Sequence, residues 1–445
     1  MAGEGPADCM WRSGERARRI VVLAVALLLA GGMVYYYNCV LMPIWDKESQ
    51  LPNAGPGNRS DLYPRWVGAR ELLWHHRNPY SAEITREIQR GFYGRELDPA
   101  NPTGPTDPEA FAYPVYVVFL LAPVLGFSFD AVRHVYTGVM LVLTAASVPL
   151  WMRSLRISLS PTAVWVAMVA VMSSYAAIDG LHLDQLTLLV AFLVAASMAA
   201  LARGWLALAG LLLALAAIKP QLVILVAVFL LLWAVGELRS RKWFAIAFGG
   251  TMAALVAGSE VVLPGWFGLW VRATHEYVRS HRPSLLVNML GVRTGMMVAA
   301  VGVLVCGVMF WRARKESVGS DRFNFALVSA LALTQLVIPN AGGGAFYNHL
   351  LLIPAALWLF TSGKILAGRR LLTRFTWAIA VGVLAGAWVL ALLVSLAALL
   401  LHPSYRSDAA LSVGGPELLV YDFPLALALF VLIAAPDVGR AAAYD

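Results

Sequence analysis

The chain has few charged residues and few cysteines for its length. Of its 445 residues, 13% are charged and 60% are hydrophobic, and the mean hydropathy is +0.70. Soluble domains average roughly 25% charged residues, so this composition excludes one large soluble domain and favours a polytopic membrane protein. Cys9, Cys39 and Cys306 are too widely spaced for a CxxC pair, which excludes a disulfide framework and a cysteine metal site.

Several common signatures of catalysis are also missing. The sequence contains no HExxH, GxSxG or Walker motif and no DxD sugar-nucleotide motif, which disfavours a cytosolic nucleotide-sugar enzyme. The net charge of +8 lies in short basic patches between apolar segments, as expected from the positive-inside rule. We therefore expect membrane lipid, and not nucleic acid, around this chain, and we expect no cofactor.

Long apolar segments follow one another along the chain and predict an all-α integral membrane bundle of about 12 spans (12–13). A 12-span topology places every basic patch, and both termini, in the cytoplasm. The first segment is too long for a signal peptide and lacks its cleavage site, so it is expected to be a retained span. The segments are 18–40, 130–152, 161–178, 183–202, 205–218, 220–235, 243–262, 290–311, 323–339, 346–361, 375–400 and 424–435.

Two regions complicate the count of spans. Residues 114–127 are apolar but shorter than the roughly 20 residues that a span needs, so we expect a short interfacial or membrane-dipping helix there. A thirteenth span is the alternative. Lys219-Pro220 interrupts the apolar stretch 205–235, because proline disrupts the helix hydrogen bonds. A hairpin with its tip near the outer face fits the flanking basic patches, and one long bent helix is the alternative.

The first extracytoplasmic loop, about 42–113, is too long for an ordinary connection and is therefore expected to be functional. Within it, Leu62, Trp66, Ala69 and Leu73 recur at helical spacing, with Arg65, Arg70 and Glu71 between them. This pattern predicts an amphipathic interfacial helix. The other outer pieces are 178–185, the Lys219-Pro220 tip, 263–289, 339–349 and 402–422. We read residues 1–445 as a single domain.

Asp61 begins the amphipathic helix and is the leading candidate for chemistry. Aspartate is a preferred N-cap residue, and a carboxylate at the outer mouth of a membrane protein is also suited to act as a general base. The two roles are compatible, because a capping carboxylate can still face a cleft.

Lys219 and His349 are candidates for binding an anion. Lys219 lies deep in apolar sequence, where an ionisable residue usually faces a cavity or a partner, and snorkelling to the interface is the alternative. His349 begins a span, where it could bind phosphate or move a proton, or serve as a hydrogen-bonded structural residue. The glycines at 342–344 either let the backbone approach a ligand or form a flexible turn.

Asp179, His182 and Asp184 form the densest polar group outside the first loop. Their spacing matches no known metal-ligand signature, so we expect no metal there.

Four stretches in order resemble glycosyltransferase family 87 of the GT-C superfamily of membrane glycosyltransferases. They are SDLYPRWVGARELLWHHRNPY, FAYPVYVVFLLAP, DGLHLDQLTLLV with ALAGLLLALAAIKPQ, and IPNAGGGAFYNHLLLIP. The resemblance covers most of residues 15–365. It departs where Val115 follows Pro114 and where HLDQ replaces a Gly-Gln and Asn turn, which bears on donor and acceptor identity more than on the fold.

The resemblance implies a GT-C-like enzyme of the inner (plasma) membrane that transfers mannose or arabinofuranose from a polyprenyl-phosphate sugar to a lipid or glycan acceptor. Transfer would occur on the extracytoplasmic face with inversion, and Asp61 matches the acidic residue that deprotonates the acceptor. The matching stretches and the outer-face candidates imply substrate-binding residues at Lys219, His349, Arg65, Arg70, Tyr80, Tyr113, His182, Asp184, Gln185, Tyr347 and Asn348.

Two other classes remain open at this point. A transporter or flippase for a lipid-linked sugar would explain Lys219 in a broken helix, because such helices mark transport sites. The chain shows no inverted repeat and such a protein would have no need of the long first loop. An inactive scaffold is the third possibility.

Overall fold

The computed structural model describes residues 6–49, 55–98, 105, 107–280, 283–339, 345–368, 370–400 and 415–441. The protein is all-helical, with 82% helix and no strand in those ranges. The predicted all-α class is confirmed. The glycines at 342–344, expected either to let the backbone approach a ligand or to form a flexible turn, lie outside the described residues.

The described ranges contain twenty α-helices, together with a π-helix at Tyr36–Leu41 and 3₁₀ segments at Ala122–Val124 and Phe346–Leu352. The helices are α1 Pro6–Tyr35, α2 Met42–Ser49, α3 Leu62–His75, α4 Ala82–Tyr93, α5 Val117–Leu121, α6 Phe129–Ser154, α7 Pro161–Met172, α8 Tyr175–His182, α9 Leu186–Ala202, α10 Leu206–Ala216, α11 Pro220–Gly236, α12 Leu238–Val262, α13 Trp266–Ser280, α14 Leu285–Leu290, α15 Val292–Ala313, α16 Asp321–Val337, α17 Ile353–Phe360, α18 Ser362–Ala367, α19 Leu371–Leu400 and α20 Pro416–Ala441.

Six stretches in the described ranges are long and apolar enough to cross a membrane. Helices α7 and α8 add a seventh if they form one span, since they are bent by 49° at their break. Each of the twelve predicted apolar segments contains a helix, but α9, α10 and α11 are shorter than a full span. A count of about 12 spans therefore stays a prediction. The six stretches are Glu15–Trp45, Phe129–Ser154, Leu238–Val262, Val292–Ala313, Leu371–Leu400 and Pro416–Val438.

Inner and outer helices differ in what surrounds them. Helix α16 is buried along nearly its whole length, whereas α15 exposes Met296, Met297 and Leu304. A helix that is apolar all round needs a core or lipid around it. Since the exposed apolar side chains of α15 would be costly in water, we place α16 at the centre of the bundle and α15 at the lipid boundary.

Helix α3 occupies the predicted position, but its polar face is not exposed. Arg65 and Glu71 are buried together with the apolar Leu62, Trp66 and Ala69. The helix packs closely against the second half of the loop. A Cβ added at Gly68 would lie only 2.3 Å from the Phe111 ring, so only glycine fits there. The prediction of an interfacial surface helix is therefore wrong for most of α3, because the helix packs against other parts of the protein.

The two interrupted apolar regions are both broken as the sequence indicates. Residues 114–127 form only the short helix α5 and one 3₁₀ turn, so they hold no helix of span length. The stretch 205–235 is divided into α10 and α11 around residues 217–219, and Pro220 begins α11. Helix α10 packs on α9 and α12, while α11 packs on α16, α12 and α15. The break leaves Lys219 at the N-cap position of α11.

Candidate active site

Asp61 stands at the N-cap position of α3, but its side chain makes no capping hydrogen bond. Its backbone is helical, with φ −65° and ψ −12°, rather than the extended conformation of a capping residue. The Asp61 backbone N–H instead donates to the Leu183 carbonyl oxygen at 2.8 Å. This bond ties the first loop to the turn that links α8 and α9, so the predicted outer-face neighbours are in direct contact.

An arginine on α6 holds the same two segments together. Arg133 forms an ion pair with Asp184 at 2.8 Å and donates to the carbonyl oxygens of Asn58 and Arg59 at 3.3 and 3.4 Å. Arg59 and Asp184 both adopt left-handed backbone conformations, with φ of 57° and 49°. Non-glycine residues rarely adopt this region, and such strain persists where the surroundings enforce it. Arg133 therefore fixes the backbone that leads into Asp61.

Lys219 lies beyond the same turn and is buried, with 5% of its surface exposed. Its Nζ donates to Gln185 Oε1 at 2.6 Å and to Thr187 Oγ1 at 2.8 Å. Thr187 in turn donates to Asn348 Oδ1 at 3.0 Å. The α8–α9 turn thus connects Asp61, through Leu183, to Lys219, through Gln185.

Two cations share one tyrosine ring. The Arg65 guanidinium lies 4.4 Å from the centre of the Tyr113 ring, and Lys219 Nζ lies 5.7 Å from it. Lys219 also lies 5.0 Å from the Tyr347 ring. These are cation–π distances. We call Arg65, Lys219, Tyr113 and Tyr347 the cationic flank of Asp61.

The cationic flank retains unused hydrogen-bonding capacity. Arg65 Nε is buried and has no hydrogen-bond partner among the described residues. Asp61 interacts electrostatically with both Arg65 and Lys219. A buried guanidinium with an open donor next to an ammonium is suited to bind an anion, because charge-assisted hydrogen bonds are roughly twice as strong as neutral ones.

Three predicted residues support the site without pointing into the cationic flank. Tyr80 donates its hydroxyl to the Tyr113 carbonyl oxygen at 2.5 Å and so fixes the Tyr113 backbone. Asp184 forms an ion pair with Arg133 and accepts a hydrogen bond from the Thr137 hydroxyl at 3.1 Å. Asn348 reaches Lys219 only through Thr187.

Arg70 and His349 lie away from this cluster. The Arg70 guanidinium lies 4.7 Å from the Trp66 ring and pairs with Glu71 at 3.3 Å. His349 lines a cavity of about 790 Å³ bounded by α1, α7, α19 and α20. In a 3₁₀ helix three residues complete a turn, so Tyr347 and Asn348 can face Lys219 while His349 turns elsewhere.

His182 and Asp179 form a second polar cluster on α8. Tyr37 donates its hydroxyl to Asp179 Oδ1 at 2.9 Å, and its ring centre lies 5.7 Å from that of His182 and 6.4 Å from that of Trp45. The Tyr347 backbone N–H also interacts with the Asp179 carboxylate, whereas His182 Nε2 is buried without a hydrogen-bond partner in the described part of the chain. We call Tyr37, Asp179, His182 and Trp45 the acidic flank of Asp61.

Glu109 and Tyr277 also belong to the neighbourhood of Asp61, although the sequence pattern did not single them out. Glu109 has a left-handed φ of 48°, and its backbone N–H donates to Asp107 Oδ1 at 2.9 Å. Burial, Asp107 and Asp61 raise the pKa of the Glu109 carboxyl well above its usual value. Tyr277 of α13 interacts electrostatically with Asp61 and Arg65. The left-handed backbone of Glu109 is visible only in the structure, so nothing in the sequence marked this residue.

The cluster on Asp179, His182 and Asp184 does not converge as metal ligands would. Asp184 pairs with Arg133, whereas Asp179 pairs with Tyr37. Among the described residues no group of three His, Cys, Asp or Glu side chains is arranged to hold a metal ion.

The arrangement brings a carboxylate, a pair of cations and a buried polar turn to one place in a membrane bundle. A family model for glycosyltransferase family 87 matches residues 111–339, which is just over half of the chain. The chain belongs to glycosyltransferase family 87. It is therefore a membrane glycosyltransferase, consistent with membership of the GT-C superfamily.

The match covers part of the site. It includes Tyr113, the Asp184-Gln185 turn and Lys219, while Asp61 and Arg65 precede it and His349 follows it. A search of curated proteins and a search of solved structures gave no match. The roles of individual side chains therefore rest on the geometry described above.

Proposed function

We propose that this glycosyltransferase moves a sugar, mannose or arabinofuranose, from a polyprenyl-phosphate donor to a lipid or glycan acceptor. The observation that carries the proposal is the pairing of Asp61 with the cationic flank across the α8–α9 turn. Sugar transfer from a phosphate needs a base for the acceptor hydroxyl and positive charge for the leaving phosphate. Asp61 supplies the first, and Arg65 and Lys219 supply the second.

The reaction proceeds with inversion in this proposal. The acceptor hydroxyl gives its proton to the Asp61 carboxylate while its oxygen attacks the anomeric carbon. The bond from that carbon to the phosphate oxygen breaks on the opposite face, and polyprenyl phosphate leaves with the bonding electrons. The leaving oxygen gains negative charge in the transition state, so Arg65 and Lys219 stabilise that state more than the ground state.

The site opens on the extracytoplasmic side of the inner (plasma) membrane in this proposal. The support is the distribution of basic patches, which the positive-inside rule assigns to the cytoplasm, together with the position of Asp61 in the loop between α2 and α6.

A flippase for the same lipid-linked sugar is the second candidate, and the break before Lys219 is the observation that favours it. The purified protein in lipid nanodiscs, given polyprenyl-phosphate mannose or arabinofuranose and candidate acceptors, decides between the two. Formation of a glycosidic product with inverted anomeric configuration supports the transferase. Movement of the lipid-linked sugar across proteoliposomes without any product would overturn it.

A further inference from the structure

The cavity that His349 lines extends far along helix α1. Arg18 lines one end of it, and Met33 and Tyr175, which pack in one cluster, line the other. Arg18 and Met33 lie about 22 Å apart along the helix, since an α-helix rises 1.5 Å per residue. The hydrocarbon core of a bilayer is about 30 Å thick, so a lipid chain in this cavity would reach past the middle of the membrane.

The walls of the cavity are apolar, and the protein covers them incompletely. Helix α1 contributes Val22, Ala26 and Leu29 at helical spacing, and α7 contributes Ala163 and Ala167. No residue of α7 is fully buried, although the helix is almost entirely apolar. A helix of this kind needs a protein core or lipid around it. An apolar occupant of the cavity would complete the packing of α7.

One end of the cavity is basic. Arg18 and Arg19 line it together with Glu15. Arg19 pairs with Glu15 at 3.4 Å, whereas Arg18 has no ion pair with another described residue. Two guanidinium groups and one carboxylate leave a net positive charge at this end. The positive-inside rule assigns this basic patch to the cytoplasm, so the charge lies at the level of the phosphates of the cytoplasmic leaflet.

The N-terminus of α7 lies at the same end. Helix α7 runs toward Tyr175 at the far end, and Ser160 and Thr162 line the cavity where the helix begins. Pro161 has no N–H, and the Ala163 N–H bonds to Ser160 Oγ at 3.3 Å. The Thr162 N–H is therefore the donor of the first turn that has no partner within the described ranges. The positive end of the helix dipole adds to the attraction for an anion.

The far end of the cavity is less suited to an anion. Tyr175 donates its hydroxyl to Glu417 at 3.0 Å, and Trp388 Nε1 donates to Ser173 Oγ at 3.1 Å. These polar groups already have partners, and a carboxylate beside Tyr175 disfavours a second negative charge. The charges therefore orient an occupant, with an anionic head at Arg18 and an apolar chain toward Tyr175.

We infer that this cavity binds one anionic phospholipid of the cytoplasmic leaflet. The phosphate lies at Arg18 and the N-terminus of α7, and an acyl chain follows α1 and α7 toward Tyr175. This lipid is neither the donor nor the acceptor of the proposed reaction. Its head lies at the end of the cavity remote from Tyr175, whereas Tyr175 packs against Tyr37 of the acidic flank, with ring centres 5.4 Å apart.

The test is a titration of the purified protein, followed by native mass spectrometry, with phosphatidylglycerol and phosphatidylcholine of identical acyl chains. We expect wild type to bind one phosphatidylglycerol molecule with a Kd about fivefold or more below that for phosphatidylcholine, the effect of one basic residue near an anionic head. Arg18→Gln should raise the Kd for phosphatidylglycerol by roughly fivefold for the same reason and leave the Kd for phosphatidylcholine nearly unchanged.

Ala163→Phe tests the apolar part of the site. The phenyl ring would take up space along α7, and we expect the Kd for both lipids to rise by about tenfold, since excluding two methylene groups from an apolar site has an effect of that size. Arg153→Gln and Val142→Phe are the matched controls. Both positions are exposed and neither lines the cavity, so both variants should bind phosphatidylglycerol as wild type does.

Three results would overturn the inference. They are equal affinity of wild type for the two lipids, a Kd for phosphatidylglycerol that Arg18→Gln leaves unchanged, and displacement of phosphatidylglycerol by polyprenyl phosphate, which would assign the cavity to the sugar donor. Melting temperatures check the fold of each variant. If Ala163→Phe does not fold, Arg18→Gln still decides, because Arg18 is exposed. None of these measurements depends on sugar transfer, so their outcome is distinct from that of the proposed function.

Discussion

The two flanks of Asp61 differ in charge and in how their charged groups are held in place. In the cationic flank Lys219 makes two short hydrogen bonds and both cations lie against aromatic rings, so most of the charge is already held in place. In the acidic flank Asp179 accepts from Tyr37 and interacts with the Tyr347 backbone N–H, whereas His182 Nε2 is buried without a hydrogen-bond partner in the described part of the chain. The cationic flank is held in place by Lys219 and the two tyrosine rings, although Arg65 Nε is also buried without a hydrogen-bond partner in the described part of the chain.

This difference has a chemical meaning. Preorganised positive charge lowers a barrier because it need not rearrange when negative charge develops. The acidic flank has no arginine or lysine, so it supplies no such charge to a leaving phosphate. We therefore expect changes on the cationic flank to lower the rate of sugar transfer more than changes on the acidic flank do.

The largest expected effect on the cationic flank comes from Lys219→Met. The substitution keeps an unbranched side chain of similar shape but removes the ammonium, so we expect kcat to fall by about 10²–10³-fold, the loss typical of one transition-state donor. The measurement is single-turnover transfer with saturating donor and acceptor. Arg241→Met is the matched control, since Arg241 is another buried cation but bonds to Trp233 and Arg314. Equal losses in the two variants would show that Lys219 acts only on folding.

Arg133→Ala tests whether Asp61 depends on its backbone support. Without the guanidinium, the segment at Asn58 and Arg59 loses its link to Asp184, and a displacement of about 1 Å can cost on the order of 10² in rate. We expect a kcat loss of about that size, partly rescued by added guanidinium at low concentration. A loss that guanidinium does not recover, with a lowered melting temperature, would indicate general destabilisation instead.

Glu109 provides a pH-dependent comparison. Its pKa is raised in the folded protein, so the native state holds this proton at pH values where the unfolded chain has released it. Stability therefore falls as pH rises above about 4.5, the ordinary value for a glutamate, because the unfolded state then binds fewer protons than the native state. Glu109→Gln removes this contribution, and its melting temperature relative to wild type should increase with pH. A difference in melting temperature between Glu109→Gln and wild type that stays constant from pH 4 to 8 would contradict this expectation.

The smallest effect is expected for His349→Ala. This residue lies away from the cationic flank and contacts Phe346 beside the cavity. We expect kcat to stay within about twofold of wild type, since no reacting group would be lost. A loss of kcat as large as that of Lys219→Met would indicate that His349 binds the phosphate of the donor.

The sequence was sufficient for the fold class and for part of the site. The apolar segments and the basic patches between them predicted the helices. The resulting topology placed Asp61 on the same side of the membrane as Lys219 and the 178–185 turn. Neither cue reveals side-chain direction, which is why His349 and Arg70 were grouped with residues from which packing separates them. The burial of Arg65 was equally hidden, because α3 meets Phe111 from a distant part of the loop.

The structural role of Arg133 could have been suspected from the sequence. It begins the span 130–152 on the face that the topology assigns to the outside, where the positive-inside rule disfavours arginine. A basic residue against that rule calls for a specific partner, and the structure supplies Asp184. Glu109 had no comparable signal, since its environment is created by chain segments that only the fold brings together.

In the proposed reaction Asp61 removes the acceptor proton between the two flanks. The most direct measurement is single-turnover transfer by Asp61→Asn, with donor and acceptor affinities measured on the same protein. Because asparagine keeps the shape but cannot take the proton, we predict a rate at least about 10²-fold below wild type, with both affinities changed by less than about threefold. Transfer at the wild-type rate would contradict the account.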